Sequence, residues 1–257
     1  ILIFALAGFI FAPMDKEIVV YLILVIAAMF TGYLDDAAKT PWGEYKKGLL
    51  DLLLAVLVAV NYLTYNPSTV EFMLFHTTVT LPAVVFAILI VVLVWASINV
   101  TNCADGVDGL SGTLTIITLL TIYGIFKIKE DMGSISYLIL LFCVCILGYL
   151  WYNANPSRML MGDAGSRAMG IFIAIAILKT GSPVLYLLVA AVLILDGGLG
   201  LIKVALLRFL KIKILKNTRT PLHDHTRKNM GWSGPQTVMR FAIIQIMISV
   251  ATLYLIA

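Results

Sequence analysis

Residues 82–98 read Pro82-Ala83-Val84-Val85-Phe86-Ala87-Ile88-Leu89-Ile90-Val91-Val92-Leu93-Val94-Trp95-Ala96-Ser97-Ile98, with no ionisable side chain among them. As an α-helix this run measures about 25 Å, close to the roughly 30 Å hydrocarbon core of a bilayer. It breaks into Asn99-Val100-Thr101-Asn102-Cys103-Ala104-Asp105-Gly106-Val107-Asp108-Gly109, which carries two amides and two carboxylates. The same alternation of apolar run and short polar connection repeats along the chain. Apolar stretches cover 1–12, 18–34, 48–63, 82–98, 110–126, 135–152, 164–179, 184–207 and 237–256. The expected fold is all-α: a polytopic helical membrane protein of about nine spans, one integral membrane domain over residues 1–257.

Composition agrees. Of the 257 residues 61% are hydrophobic and 12% charged, and the mean hydropathy is +1.01. So little polar side chain cannot cover a water-facing surface, which excludes a soluble globular domain, a disordered chain and a disulfide scaffold. Strands of a membrane barrel alternate, whereas these runs are unbroken. Cys143 and Cys145 sit two apart on a helix and face different ways, and Cys103 lies in a polar loop, so free thiols are expected. The chain opens on Ile1, already inside an apolar run, so an N-terminal span is expected to be missing.

Alternating the spans sorts the loops onto two sides. Counting each Lys and Arg with its nearest loop, loops 35–47, 99–109, 153–163 and 208–236 collect all of them except Lys16, Lys127, Lys129 and Lys179. By the positive-inside rule the cation-rich side is cytoplasmic. The net charge of +4 is mostly this asymmetry, and it suits anionic headgroups and phosphates rather than nucleic acid.

The unusual polar residues fall on that same side. Asp35 and Asp36 end the second span; in a helix they point about 100° apart, and Lys39 is placed to neutralise either one. Two carboxylates with a lysine suit Mg²⁺ and phosphate, since Mg²⁺ takes few carboxylates and completes its shell with phosphate oxygens; a solvated helix end with one weak ion pair is the bland alternative. Asn99, Asn102, Asp105 and Asp108 recur every third residue, as if lining one face where a helix begins. An amide and two carboxylates there can read a nucleoside or hold a metal, against the plainer reading of a polar turn beside packed small residues. Asp163, between Gly162 and Ala164-Gly165-Ser166, is either a helix cap or a carboxylate at a site for metal-bound phosphate. His223-Asp224-His225 lies among Arg219, Arg227 and Lys228, a setting that favours an anionic sugar-nucleotide over zinc. His76 reads as structural. Asp196, an acid inside the eighth span, is balanced between function and a packing hydrogen bond.

Four of these motifs together resemble the polyprenyl-phosphate N-acetylhexosamine-1-phosphate transferases. They are Asp35-Asp36-x-x-Lys39, Asn102-x-x-Asp105-Gly106-x-Asp108-Gly109-Leu110, Met161-Gly162-Asp163-x-Gly165-Ser166 and Pro221-x-His223-Asp224-His225. Each is weak alone; in this order, over essentially the whole chain, they are specific. Gly231-Trp232 after the last motif is similar to the muramoyl-pentapeptide branch, which carries Pro-x-His-His-His where Asp224 here replaces the middle histidine. Leu160 stands where the family has a phenylalanine that stacks on uracil. The resemblance implies ten helices, a homodimer, a multi-pass enzyme in the bacterial inner membrane and catalytic loops in the cytoplasm.

It also implies the reaction: phospho-MurNAc-pentapeptide passes from a UDP-linked donor to undecaprenyl phosphate, giving lipid I and UMP in peptidoglycan synthesis. Asp163 is then the Mg²⁺ ligand, and Asp35 or Asp36 deprotonates or orients the lipid phosphate. Lys46 holds phosphate, with Lys47 the neighbouring alternative. Asn102, Asp105, Asp108, Asn153 and the Leu160 position line the nucleoside-sugar side, and His223 and His225 contact the sugar-phosphate. Direct attack and an aspartyl-phosphate route both fit these residues. Asp224 keeps a GlcNAc-1-phosphate transferase of the teichoic acid or O-antigen type in view. An ion-coupled transporter fits less well, because coupling acids belong near the membrane midplane and only Asp196 lies there.

Overall fold

A computed structural model describes all residues, 1–257. Its helices are α1 (Leu2–Phe11), α2 (Lys16–Asp36), α3 (Glu44–Tyr65), α4 (Ala83–Cys103), α5 (Leu110–Ile128), α6 (Ser134–Asn153), α7 (Gly162–Lys179), α8 (Pro183–Val189), α9 (Ala191–Phe209), α10 (Leu222–Lys228) and α11 (Gly234–Ile256). Between α3 and α4 lies the one departure from helix, an antiparallel hairpin of β1 (Thr69–Phe72) and β2 (Thr77–Thr80), with Thr69 opposite Thr80. Thr and Val dominate both strands, and such β-branched residues lose little in extended backbone.

Six helices are long and apolar enough to cross a membrane: α2, α3, α4, α5, α6 and α11. A seventh crossing counts if α8 and α9 form one span bent by 73°. The expected nine therefore divide differently. With 10 residues, α1 is too short to cross by itself, and α7 carries Asp163, Arg167 and Lys179 in 18 residues. The reason α7 tolerates them is its position. Every residue from Gly165 to Leu178 is buried, so the helix faces protein rather than lipid and its charges find partners.

Small residues let the neighbours close on α7. A Cβ at Gly170 would stand 2.6 Å from Ile98 Cα and Ser97 O, so only glycine admits α4 at this crossing. Ser97 Oγ uses the approach to donate to the Gly170 carbonyl at 2.7 Å. Lower down, Phe4 of α1 packs on Phe142 and Phe172, with ring centroids 4.5 and 5.3 Å away.

The bend at Ala190 strands backbone groups in an apolar setting, where each unsatisfied group is costly. Gln245 of α11 meets them. Its Oε1 accepts from the Val192 N–H at 2.9 Å, and its Nε2 donates to the Val189 and Leu188 carbonyls at 3.0 and 3.1 Å. At the hairpin end, Lys179 bridges Glu17 at 2.8 Å and Asn66 at 2.9 Å, tying α7 to α2 and to the end of α3. Lys129 similarly joins Glu71 of the hairpin to the Thr180 carbonyl. All four polar loops of interest lie at the other end of the bundle.

Candidate active site

Three of those loops meet around Lys47, and the fourth joins them through His223 at Gly106. Its ammonium pairs with Asp35 and lies 3.3 Å from Asp163 Oδ2. Asp163 Oδ1 accepts from Asn102 Nδ2 at 2.9 Å, and the same amide donates to Ser166 Oγ at 2.9 Å. Asp35 is buried and also accepts from the Trp42 N–H at 2.9 Å. Asp36 is exposed, and its Oδ2 accepts from the Ala164 N–H at 3.3 Å, at the start of α7. Adjacent on the last turn of α2, the two acids thus take different tasks. The cap expected of Asp163 falls to Asp36, because the side chain of Asp163 is turned to Lys47 and Asn102; its charge still favours the N-terminal end of the α7 dipole.

Asn102, Asp105, Asp108, Asn153, Leu160 and Asp163 line one cavity of about 300 Å³, together with Gly106, Val107, Met161 and Gly162. Six of the expected residues are therefore brought together. The three-residue repeat that suggested a single helix face is resolved otherwise. Asn99 and Asn102 sit at the end of α4, while Asp105 and Asp108 lie in the turn before α5. Asn99 faces away from the cavity and donates to Asp51 Oδ2 at 3.3 Å. Asn153 is spent on architecture: its Oδ1 accepts from the Gly109 N–H at 2.8 Å and its Nδ2 donates to the Met159 carbonyl at 2.7 Å. Asp108 Oδ2 likewise takes the Ser157 N–H at 3.3 Å, joining two loops of the cavity wall. Leu160 is 80% exposed at its rim.

Burial pushes the Asp105 carboxyl up from 3.8 to about 6; a hydrogen bond from Ser111 opposes this and the charge of Asp163 adds to it. An acid raised in the folded state binds its proton more tightly there than in the unfolded chain. The stability it contributes is present below 3.8 and lost as pH rises through about 6. Asp105→Asn is expected to flatten the pH dependence of Tm across that window and to raise Tm at alkaline pH. Thermal unfolding in detergent measures this, and a profile identical to that of the unsubstituted protein removes the burial argument.

Two lysines depart from expectation. Because α2 stops at Asp36, Lys39 lies beyond the helix, exposed, and makes no ion pair with Asp35 or Asp36. Lys46 turns onto Trp42, 3.3 Å from the ring centroid, and leaves the carboxylates to Lys47. The choice between Lys46 and Lys47 follows from α3 starting at Glu44: neighbouring residues there point about 100° apart, so only one can face α2.

His223 is buried and held by Asp196, while a Cβ at Gly106 would stand 2.2 Å from His223 Nε2. Glycine at position 106 is what lets this ring reach the cavity wall. His225 is half-buried, and its Nδ1 accepts from the Arg219 N–H at 3.3 Å. Asp224 pairs outward with Lys228 at 2.7 Å, which holds its carboxyl below the usual range.

Beneath the site lies a pair that sequence reading missed. Arg167 Nη2 and Asp51 Oδ2 are 3.2 Å apart, and the two side chains are 3% and 1% exposed. The signal was present as spacing: Lys47 and Asp51 are i and i+4 on α3, as are Asp163 and Arg167 on α7, so two cross-links form one turn apart with the charges exchanged.

No three His, Cys, Asp or Glu side chains converge as a closed metal cage. The donor set instead fits an ion that takes few protein ligands: Asp163 is partly exposed, next to the cavity, and the exposed Asp36 carboxylate flanks the same helix start.

The family model for glycosyl transferase family 4 matches residues 18–181, which defines the helical bundle and its polar end as a membrane-embedded transferase of that class. Two strains of Treponema pallidum have a phospho-N-acetylmuramoyl-pentapeptide-transferase 40% identical over 250 residues, covering 90% of this chain and 69% of theirs. The protein of that name from Symbiobacterium thermophilum is 31% identical over 253 residues, 92% of this chain and 73% of its own. This chain belongs to the phospho-N-acetylmuramoyl-pentapeptide-transferase family.

Proposed function

We propose that this protein transfers phospho-MurNAc-pentapeptide from a UDP-linked donor to undecaprenyl phosphate, giving lipid I and UMP, with its site on the cytoplasmic face of the bacterial inner membrane. The observation that carries the mechanism is Lys47 between Asp35 and Asp163 beside a polar cavity of about 300 Å³. Phosphoryl transfer asks a protein mainly for positioning and charge neutralisation. In this reading an oxygen of the lipid phosphate attacks the β-phosphorus of the donor, the bond from that phosphorus to the bridging oxygen breaks, and UMP departs.

Asp163, with Asp36 beside it, would hold Mg²⁺. The ion would supply neutralisation of the diphosphate and of the leaving UMP. The chain's own groups do the rest. Lys47, now engaged by two carboxylates, turns its charge to phosphate when substrate enters. Asp36, exposed at the start of α7, orients or deprotonates the lipid phosphate, while Asp35 holds Lys47 in place. Asn102, Asp105 and Asp108 line the nucleoside-sugar side with Leu160 at the rim, and His223 and His225 meet the sugar-phosphate. Asn153 shapes that wall through its hydrogen bonds. The outward pairing of Asp224 with Lys228 explains how the middle position tolerates an acid. The chain acts as one membrane domain; α1 and α7 join the other helices in the bilayer, α7 shielded by its neighbours. A homodimer is part of this reading by family.

Release of UMP by the protein in detergent tests it, with polyprenyl phosphate, Mg²⁺ and either UDP-MurNAc-pentapeptide or UDP-GlcNAc. Turnover with the muramoyl donor alone, abolished by chelating divalent cations, is the expected result. Turnover with UDP-GlcNAc alone moves the protein to the sister transferases, and silence with both from folded protein overturns the enzyme reading.

A further inference from the structure

Asp196 lies in the π-helical segment Ile194–Gly198 within α9 and is fully buried. A carboxylate there needs partners, and it takes both from one residue. Its Oδ1 accepts from the His223 N–H at 2.7 Å, and its Oδ2 lies 2.8 Å from His223 Nδ1. The other ring nitrogen, Nε2, makes no hydrogen bond within the chain, and its edge lies against Gly106, part of the cavity lining. A carboxylate only accepts. Nδ1 must therefore carry the proton, and Nε2 is the nitrogen left for a ligand.

We propose that Asp196 is a positioning residue for the transfer: its carboxylate fixes the tautomer and plane of His223, so that Nε2, as an acceptor, is presented to a hydroxyl or N–H of the donor's sugar-phosphate portion at the Gly106 wall. This rests on the transferase reading above and extends it to a residue none of the four motifs contains. A packing role would need only one hydrogen bond to any neighbour. The double contact, to backbone and ring of the same histidine, constrains rotation as well as position. The physical logic is that of a partner carboxylate orienting a functional imidazole, whose loss typically costs about 10- to 100-fold.

Asp196→Asn is nearly isosteric and keeps an oxygen for the His223 N–H. Its amide N–H, however, donates to Nδ1 and drives the ring to the opposite tautomer. The test measures kcat for UMP release and, by titration calorimetry, the Kd for the UDP-linked donor, with Tm recorded for every variant. Expected are a 10- to 100-fold combined loss at unchanged Tm, an unchanged KM for polyprenyl phosphate, and partial recovery in Asp196→Glu. In a His223→Ala background, Asp196→Asn is expected to weaken donor binding no further. An equal additional loss in that background assigns Asp196 a merely structural role and overturns the proposal, as does a single Asp196→Asn variant with unaltered kcat and Kd. A folded, unsubstituted protein that releases no UMP from either donor overturns the transferase reading, and this inference with it.

Discussion

Asp163→Asn should abolish turnover while leaving the protein folded. The substitution keeps the oxygen that accepts from Asn102 and removes only the charge, so the cross-links to α4 survive. What is lost is the carboxylate that, in the proposed reaction, holds the divalent ion and meets Lys47 3.3 Å away. Electrostatic groups aimed at developing charge are worth on the order of 10²- to 10³-fold each. Asp163 serves both ion and lysine, so a loss near the upper end of that range is expected in kcat, with Tm unchanged. UMP release and thermal unfolding in the same detergent check the two halves. Near-normal turnover would remove Asp163 from the mechanism; inactivity accompanied by collapse of Tm would make it a structural residue instead.

The second large effect concerns stability. Arg167 and Asp51 are both almost completely buried, and their ion pair is 3.2 Å long. Removing one partner leaves an uncompensated charge inside the bundle, which costs about 3–5 kcal/mol. Asp51→Leu and Arg167→Met are each expected to lower Tm sharply. The double variant should recover most of it, because two apolar side chains of suitable size need no desolvation of charge. Thr31 Oγ1 accepts from Arg167 at 3.4 Å and Asn99 Nδ2 donates to Asp51 at 3.3 Å, but neither replaces a charge. Additive losses in the double variant would show that the two residues stabilise the fold independently. The pair also sets the crossing of α3 with α7 one turn below Lys47 and Asp163. Singles that fold at low temperature are therefore expected to lose activity as well.

Much of the molecule was legible beforehand because the membrane restricts the choices. A backbone in hydrocarbon must satisfy its own polar groups, so runs such as 82–98 and 135–152 have helix as their one solution. Polar residues near the ends of such runs are costly unless used, which is why Asp35, Asp36, Asn102, Asp105, Asp108 and Asp163 stood out by residue type and spacing. All lie at one end of the bundle, and four of them line the same cavity. Partner choice was not legible. Lys46 and Lys47 are neighbours of identical chemistry, and which one faces Asp35 depends on where α3 begins. Lys39 looked well placed only on the assumption that α2 continues past Asp36. Asp51 is a single acid in an apolar run, and nothing local says that its counter-charge lies on α7.

By itself, then, the sequence determined the class of fold, the clustering of its chemistry at one end and the residue types available there, because hydropathy and helical periodicity act over a few neighbours at a time. Only the tertiary structure decided that α7 is enclosed, that α8 and α9 bend at Ala190 under the cover of Gln245, that Lys47 joins Asp35 to Asp163 and that Asp196 holds His223. Each of these pairs residues distant along the chain. Such contacts follow from the azimuth at which packed helices meet, which small residues such as Gly170 permit and no single segment encodes.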